Sequence, residues 1–137
     1  MNRVHQKEMQ DKLLAACQDG DLEAASGALF EGAKPTPGFP GTPSPLMYAA
    51  DYGNIELVQL LLDAGADFSY RDDTGSTALE CAAVVGNENI ANLLLKLGAS
   101  DEPNKQGVRP SEYADHHGHI SVAKTIRENS STTGQKW

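Results

Sequence analysis

The sequence has no long apolar run and no export signal. The longest apolar segments of its 137 residues, such as residues 90–95, are interrupted by polar residues. A membrane-crossing helix needs ~20 predominantly apolar residues. Residues 1–12 are polar and mixed in charge, without the basic end, apolar run and small-residue cleavage site of a secretory signal. We therefore expect no membrane association and a cytoplasmic location.

Cysteine is scarce as well. Cys17 and Cys81 lie far apart in alanine-rich segments, and their spacing fits neither a zinc site nor a dense disulfide framework. Free cysteine packs as a small hydrophobic residue. Both are therefore interpreted as reduced core residues in a cytosolic protein.

Motifs for catalysis are also missing. No nucleophile motif, P-loop or dinucleotide fingerprint occurs, so we expect no cofactor, no small-molecule substrate and no enzyme activity. The best candidate for a metal site is the group Asp115, His116, His117 and His119, since histidine and carboxylate are zinc ligand types. The group spans the helix end expected at Gly118, which leaves a metal-dependent enzyme as a weak alternative.

Basic residues are outnumbered, with 11 Lys and Arg against 19 Asp and Glu and a net charge of −8. Residues 46–104 hold ten acidic residues against Arg71 and Lys96, whereas residues 105–137 hold five basic and three acidic residues. An acidic surface repels nucleic-acid phosphates and attracts basic protein surfaces. A partner with a basic surface is one interpretation; the other is that the acids serve solubility alone.

The sequence does contain a repeat with a period of 32 or 33 residues. The positions that keep this period are Gly20, Gly53, Gly86 and Gly118; Gly32, Gly65 and Gly98; Ala16, Ala49, Ala82 and Ala114; and Leu13, Leu46 and Leu79. A fixed period of this length predicts stacked copies of one supersecondary unit, each burying its apolar face against its neighbours.

Each unit is predicted to be a pair of helices. A first helix begins at Pro45, since proline is tolerated in the first helical turn, and it ends at Gly53, where a left-handed residue fits. Asn54 is suited to cap a second helix that runs to Gly65. The polar stretch 72–75 then predicts a tight, hairpin-like connection.

These motifs resemble the ankyrin repeat. The matching segments are 44–46, 49–50, 53–54, 60–62 and 65–67 in one unit, and 77–79, 82–83, 86–87, 93–95 and 98–99 in the next. The resemblance implies an all-α solenoid of helix-turn-helix units joined by β-turn or hairpin-like loops. Its four repeats are expected at residues 8–38, 39–71, 72–103 and 104–128 of a single domain, 1–128. A short N-terminal arm would precede them, and a flexible tail, 129–137, would follow.

The two outer units depart from the motif. The first matches it only in part, with small residues in place of larger ones, and is interpreted as an N-terminal cap. The fourth has Ser111 and Thr125 where leucine is usual and Asp115 where alanine is usual. A terminal repeat faces solvent on one side, so these polar residues are interpreted as a C-terminal cap.

The segment 34–45 holds five of the seven prolines, although the period across it stays at 33. Proline-rich chain is stiff and extended. Two interpretations stay open: a rigid connector that replaces a hairpin, or a recognition loop that displays Phe39.

The resemblance also implies where a partner binds, because inner-helix ends and loop tips line the concave face of such a solenoid. The expected contact residues are Asp51, Tyr52, Tyr70, Arg71, Asp73, Thr74, Ser76, Val84, Val85, Lys105, Gln106, Val108, His116 and His117. The expected function is a cytosolic adaptor or inhibitor that binds another protein on an acidic concave face. Alternatives are a bacterial immunity or antitoxin protein that covers a basic enzyme, and a detached regulatory subunit.

Overall fold

A computed structural model describes residues 3–130, and over this range the chain consists of eight helices joined by turns, with no strand. The helices are α1 (Arg3–Asp19), α2 (Leu22–Phe30), α3 (Pro45–Tyr52), α4 (Ile55–Asp63), α5 (Ala78–Val85), α6 (Glu88–Leu97), α7 (Pro110–His116) and α8 (Ile120–Asn129). The inner helices α1, α3, α5 and α7 pack side by side, and the even-numbered helices form an outer row. The predicted all-α solenoid is confirmed. None of these helices is long and apolar enough to cross a membrane.

The helices of the second unit begin and end at the predicted residues Pro45, Gly53 and Asn54, and Ser44 adds a cap that was not predicted. The Ser44 hydroxyl accepts a hydrogen bond from the Met47 amide at 3.2 Å, and Pro45 occupies the first turn of α3. The helix ends at Gly53, which has a φ of 95°. Asn54 then accepts bonds from the first amides of α4. A polar cap at the start of each helix thus pairs amides that the helix itself leaves unpaired.

The core lies between the two rows and is built from the repeating apolar positions. The leucines at the shared position, Leu13, Leu46 and Leu79, are almost fully buried, as are the four periodic alanines. Small alanines allow the inner helices to approach closely, and each buried leucine contributes about 2 kcal/mol relative to an exposed one. The core therefore runs through the stack without a break.

Ser111 does not behave as the C-terminal cap interpretation expects. It is 1% exposed, and its hydroxyl donates to Oδ2 of the buried Asp101 at 2.7 Å. Its amide donates to Oδ1 of the same carboxylate at 2.9 Å. Ser111 therefore belongs to a hydrogen-bonded polar pair inside the core, where each polar group has a partner, and not to a solvent-facing end.

The chain ends differ from expectation on one side. Residues 3–7, which were expected in an N-terminal arm, belong to α1, which begins at Arg3 and is about twice as long as the other inner helices. At the other end α8 reaches Asn129, and the Ser130 hydroxyl accepts a bond from the Asp101 amide at 2.8 Å. Of the predicted flexible tail, residues 131–137 lie outside the described range, and the repeat boundaries stay predictions.

The loops between units are called fingers 1, 2 and 3 here: residues 32–44, 65–77 and 98–109. Their tips are joined by backbone bonds, one from the Asp73 amide to the Gly41 carbonyl at 2.8 Å and one from the Lys105 amide to the Thr74 carbonyl at 2.9 Å. Gly41 has a φ of 85°, and a Cβ there would overlap the Asp73 carboxylate. The left-handed conformation favours glycine at this tip, and a larger residue would also displace the exposed Asp73 carboxylate.

Candidate functional site

The ends of three neighbouring inner helices carry six of the predicted contact residues. Asp51 and Tyr52 close α3, Val84 and Val85 close α5, and His116 and His117 lie at the end of α7. Because these helices pack side by side, the three pairs form one row, called the inner-end row below. The Tyr52 side chain is 58% exposed and Val85 is 40% exposed, whereas Val84 is half-buried.

Tyr52 is held in place although most of it faces solvent. Its ring lies against Gly20 of the preceding unit, so closely that any side chain at Gly20 would overlap it. A ring supported from below loses little conformational freedom when a partner covers its other face. Tyr52 is therefore a preorganised apolar surface.

Acidic side chains lie beside this row. The thiol of Cys81, on the inner helix α5, has its pKa raised to about 12, first by burial and then by the negative charges of Asp51, Glu80 and Asp72. Three carboxylates from α3, finger 2 and α5 thus act on one point between the helices. The thiol stays protonated at neutral pH, which makes Cys81 a poor nucleophile.

The predicted finger residues fall into two groups. Five are exposed at the finger tips: Arg71, Asp73, Thr74, Lys105 and Gln106. Tyr70, Ser76 and Val108 are half-buried, and two of them use their side chains within the chain. The Tyr70 hydroxyl donates to the Thr42 carbonyl, and the Ser76 hydroxyl donates to the Glu80 carboxylate, each at 2.7 Å. Exposure therefore separates five residues at the rim from three that are half-buried. Two of the exposed five also bond within the chain, Arg71 to the Pro103 carbonyl and Thr74 to the Asp72 carboxylate.

The histidines are close together but do not form a metal site. His116 and His117 have ring centroids 5.4 Å apart, while Asp115 forms a salt bridge with Arg127. Across residues 3–130 no group of three His, Cys, Asp or Glu side chains is arranged to hold a metal ion. The ring of His119 lies against Gly86.

A groove lies at the N-terminal end of the concave face, where the sequence predicted no contact residue. It has a volume of about 640 Å³ and lies between α1, finger 1 and α3. We call it the N-terminal groove, and its lining includes Arg3, Lys7, Leu14, Lys34, Phe39 and Tyr48. The predicted contact residues all lie in later units, although Phe39 in the proline-rich segment was a visible signal of this groove.

Finger 1 forms one wall of this groove and is fixed from both sides. The Gln10 side chain donates to the carbonyls of Lys34 and Thr36 at 2.7 and 2.8 Å and accepts a bond from the Lys34 amide at 3.2 Å. Tyr70 holds the other side through Thr42. The loop is a fixed wall, and Phe39 is 69% exposed on it.

Comparison with known proteins places this geometry in a family. The family model for ankyrin repeats, in three copies, matches residues 13–107, more than half of the chain. The chain belongs to the ankyrin-repeat family. Ankyrin repeats bind other proteins, which supports a role as a protein–protein interaction module, and the family generally acts without catalysis.

Curated relatives carry the same repeats within longer proteins. The chain is 33% identical over 120 residues to a probable E3 ubiquitin-protein ligase of Oryza sativa subsp. japonica, covering 85% of this chain and 24% of the relative. It is 35% identical over 121 residues to the human ankyrin repeat, SAM and basic leucine zipper domain-containing protein 1, covering 85% and 26%. Against protein phosphatase 1 regulatory subunit 27 of Mus musculus the identity is 45% over 64 residues, covering 46% and 42%. The chain thus spans about a quarter of the first two relatives.

Proposed function

We propose that this ankyrin-repeat chain is a cytosolic adaptor or inhibitor that binds a partner protein with a basic surface at the inner-end row. The observation that carries the proposal is the pairing of exposed apolar side chains, Tyr52 and Val85, with the surrounding acids. Apolar patches rimmed by charge are typical of protein interfaces, and aromatic residues supply much of their binding energy.

The negative charge of the site predicts a positively charged surface on the partner. Ser76 bonds to the carboxylates of both Asp72 and Glu80, so these two acids are close neighbours. Together with Asp51 they raise the pKa of the Cys81 thiol. Such a cluster speeds encounter with a basic surface, and this effect falls as salt is added. Both cysteines are free thiols, which agrees with a reducing compartment.

One relative also supports a role that consists of binding a partner without catalysing a reaction. The mouse protein that shares 45% identity over 64 residues is named as a regulatory subunit of a phosphatase. An adaptor or inhibitor needs a binding surface and no reaction centre, and the inner-end row is the candidate for that surface.

The test is a charge substitution in the inner-end row. A partner is captured from the source cell with the wild-type chain, identified by mass spectrometry and purified for calorimetry. Tyr52→Asp and Val85→Asp are each expected to weaken its affinity at least tenfold, since each places a buried charge in the interface. Ile55→Asp is the matched control, because Ile55 is 39% exposed but lies on the outer helix α4.

Two results would contradict the proposal. One is an affinity unchanged by either inner substitution, and the other is an equal loss with Ile55→Asp. A rise in affinity with added salt would contradict the expected basic partner, since screening weakens attraction between opposite charges.

A further inference from the structure

The N-terminal groove has the opposite charge to the rest of the concave face. Arg3, Lys7 and Lys34 line it, and Asp11 is the one acid among its lining residues. Lys7 and Asp11 pair with each other at 2.8 Å, while neither Arg3 nor Lys34 takes part in a salt bridge within residues 3–130. Two cations thus remain to act on a ligand in a chain whose net charge is −8.

Apolar side chains from three separate elements meet in the same groove. Leu14 comes from α1, Phe39 from finger 1 and Tyr48 from α3. Gly38 brings the finger backbone down onto α1, since a Cβ at this glycine would lie 3.0 Å from Leu14 Cδ1. The volume of about 640 Å³ lies in the range of ~300–1,000 Å³ that binding clefts occupy.

The groove is formed before any ligand arrives. The three bonds from Gln10 fix one end of finger 1, and the Gly41 carbonyl, bonded to the Asp73 amide, fixes the other. A wall that is already ordered loses little entropy on binding, so modest contacts suffice for measurable affinity.

We propose that the N-terminal groove binds an acidic segment of a partner protein. In this arrangement an aromatic or large aliphatic side chain of the segment packs on Leu14, Phe39 and Tyr48, and its carboxylates lie beside Arg3 and Lys34. Opposite charge selects the segment, and the apolar floor retains it. This site is separate from the inner-end row and carries the opposite sign, so its test does not depend on the function proposed above.

In the experiment, the isotope-labelled full chain is titrated with a short synthetic peptide in which glutamates flank one tryptophan. Binding is measured from the changes in the amide chemical shifts of the chain. We expect saturable shifts at the amides of Leu14, Gly38 and Phe39. Two control peptides replace the glutamates by lysine or the tryptophan by glycine, and each is expected to bind at least tenfold more weakly.

Matched variants locate the binding. Lys34→Glu is expected to lower the affinity for the acidic peptide at least tenfold. Lys96→Glu makes the same charge change on the outer helix α6 and is expected to leave this affinity unchanged. Phe39→Ala removes an exposed ring without touching the core, so it weakens binding while the melting temperature stays the same. Tyr52→Asp has no effect on this peptide, which separates the two sites.

Four results of the peptide titrations would overturn the proposal. These are absence of binding at millimolar peptide, equal binding of the lysine peptide, equal loss with Lys34→Glu and Lys96→Glu, and shifts confined to α3 and α5. Equal binding of N-acetyltryptophan alone would also overturn it, by showing a small-molecule site in place of a peptide site.

Discussion

Fingers 1 and 2 occupy equivalent places in the repeat but are stabilised in different ways. Finger 2 holds its own shape, because Oδ1 of Asp72 accepts bonds from the amides of Thr74 and Ser76 and from the Thr74 hydroxyl. Finger 3 does the same with Asn104. Within finger 1 the Thr42 hydroxyl bonds only to the amide and carbonyl of Phe39. The rest of the finger is fixed by Gln10 and Tyr70, which belong to other elements.

The difference teaches where sequence changes can be tolerated. A self-capped finger depends on one residue within it, so its shape survives changes elsewhere. Finger 1 depends on residues far away in the chain, and its prolines reduce the number of amides that need a partner. Finger 1 can therefore vary in sequence as long as its supports remain, which suits a wall that contacts a ligand.

The largest expected effect comes from removing the internal support of finger 2. Asp72→Ala leaves two amides and a hydroxyl without their acceptor, and we expect the free energy of unfolding to fall by about 2 to 3 kcal/mol. Asp72→Asn keeps the accepting oxygen and should lose less than half as much. Urea denaturation measures both, and equal losses would show that charge, not hydrogen bonding, holds the finger.

A smaller effect is expected from the packing between finger tips. Gly75 has a φ of 81°, and a Cβ there would lie 2.9 Å from the Lys105 amide nitrogen. Gly75→Ala should cost about 2 kcal/mol, combining the left-handed conformation with this contact. Gly107 has a φ of 83° and nothing within 4 Å of its Cβ position, so Gly107→Ala should cost about half as much.

Amide hydrogen exchange distinguishes these two glycine variants further. The Lys105 amide, which donates to the Thr74 carbonyl, should exchange faster in Gly75→Ala only. If both variants lose the same stability and leave Lys105 protected, the tips are not in the close contact described above.

Removing the external support of finger 1 is expected to cost about 1 kcal/mol. Gln10→Ala deletes three half-exposed hydrogen bonds to the backbone of Lys34 and Thr36, and the Lys34 amide should then exchange faster. Gln10→Glu can still accept from the Lys34 amide but cannot donate, so it should protect that amide partly. Lys12→Ala, on the same helix and exposed, is the control.

The smallest effect concerns the two cysteines. Burial alone raises the pKa of Cys17 to about 12, whereas the pKa of Cys81, also about 12, is raised by burial and then by acids that include Asp72. Both thiols are protonated at pH 8, so iodoacetamide should modify them far more slowly in the folded chain than after unfolding. Asp72→Asn removes one negative charge near Cys81, lowers its pKa and should speed its alkylation less than tenfold while leaving Cys17 unchanged, as peptide mass spectrometry would show.

The sequence predicted the features that each unit determines locally. Pro45 in the first helical turn, the helix end at Gly53, the cap at Asn54 and the polar turn at 72–75 depend on neighbours within a few residues, so their pattern is readable. The role of Tyr70 was not readable, because its hydroxyl meets Thr42 only after finger 1 has folded against finger 2.

The candidate site was predictable only in part for the same reason. Tyr52 and Val85 stood out because equivalent positions differ between units. Arg3 lies before the first repeat and Gln10 lies in the imperfect first unit, so the length of α1 and the groove beside it emerged only in three dimensions. Ser111 was misinterpreted because its partner, Asp101, is buried ten residues earlier.

The bonds that join the finger tips have a mechanical consequence. Gly41 is tied to Asp73, and the adjacent Thr74 is tied to Lys105, so the three tips form one strip along the rim. A displacement of the first tip therefore pulls on the third, and the curvature of the whole rim changes as a unit. A ligand that moves finger 1 away from α1 therefore has to displace all three tips, because the backbone bonds between them resist the movement.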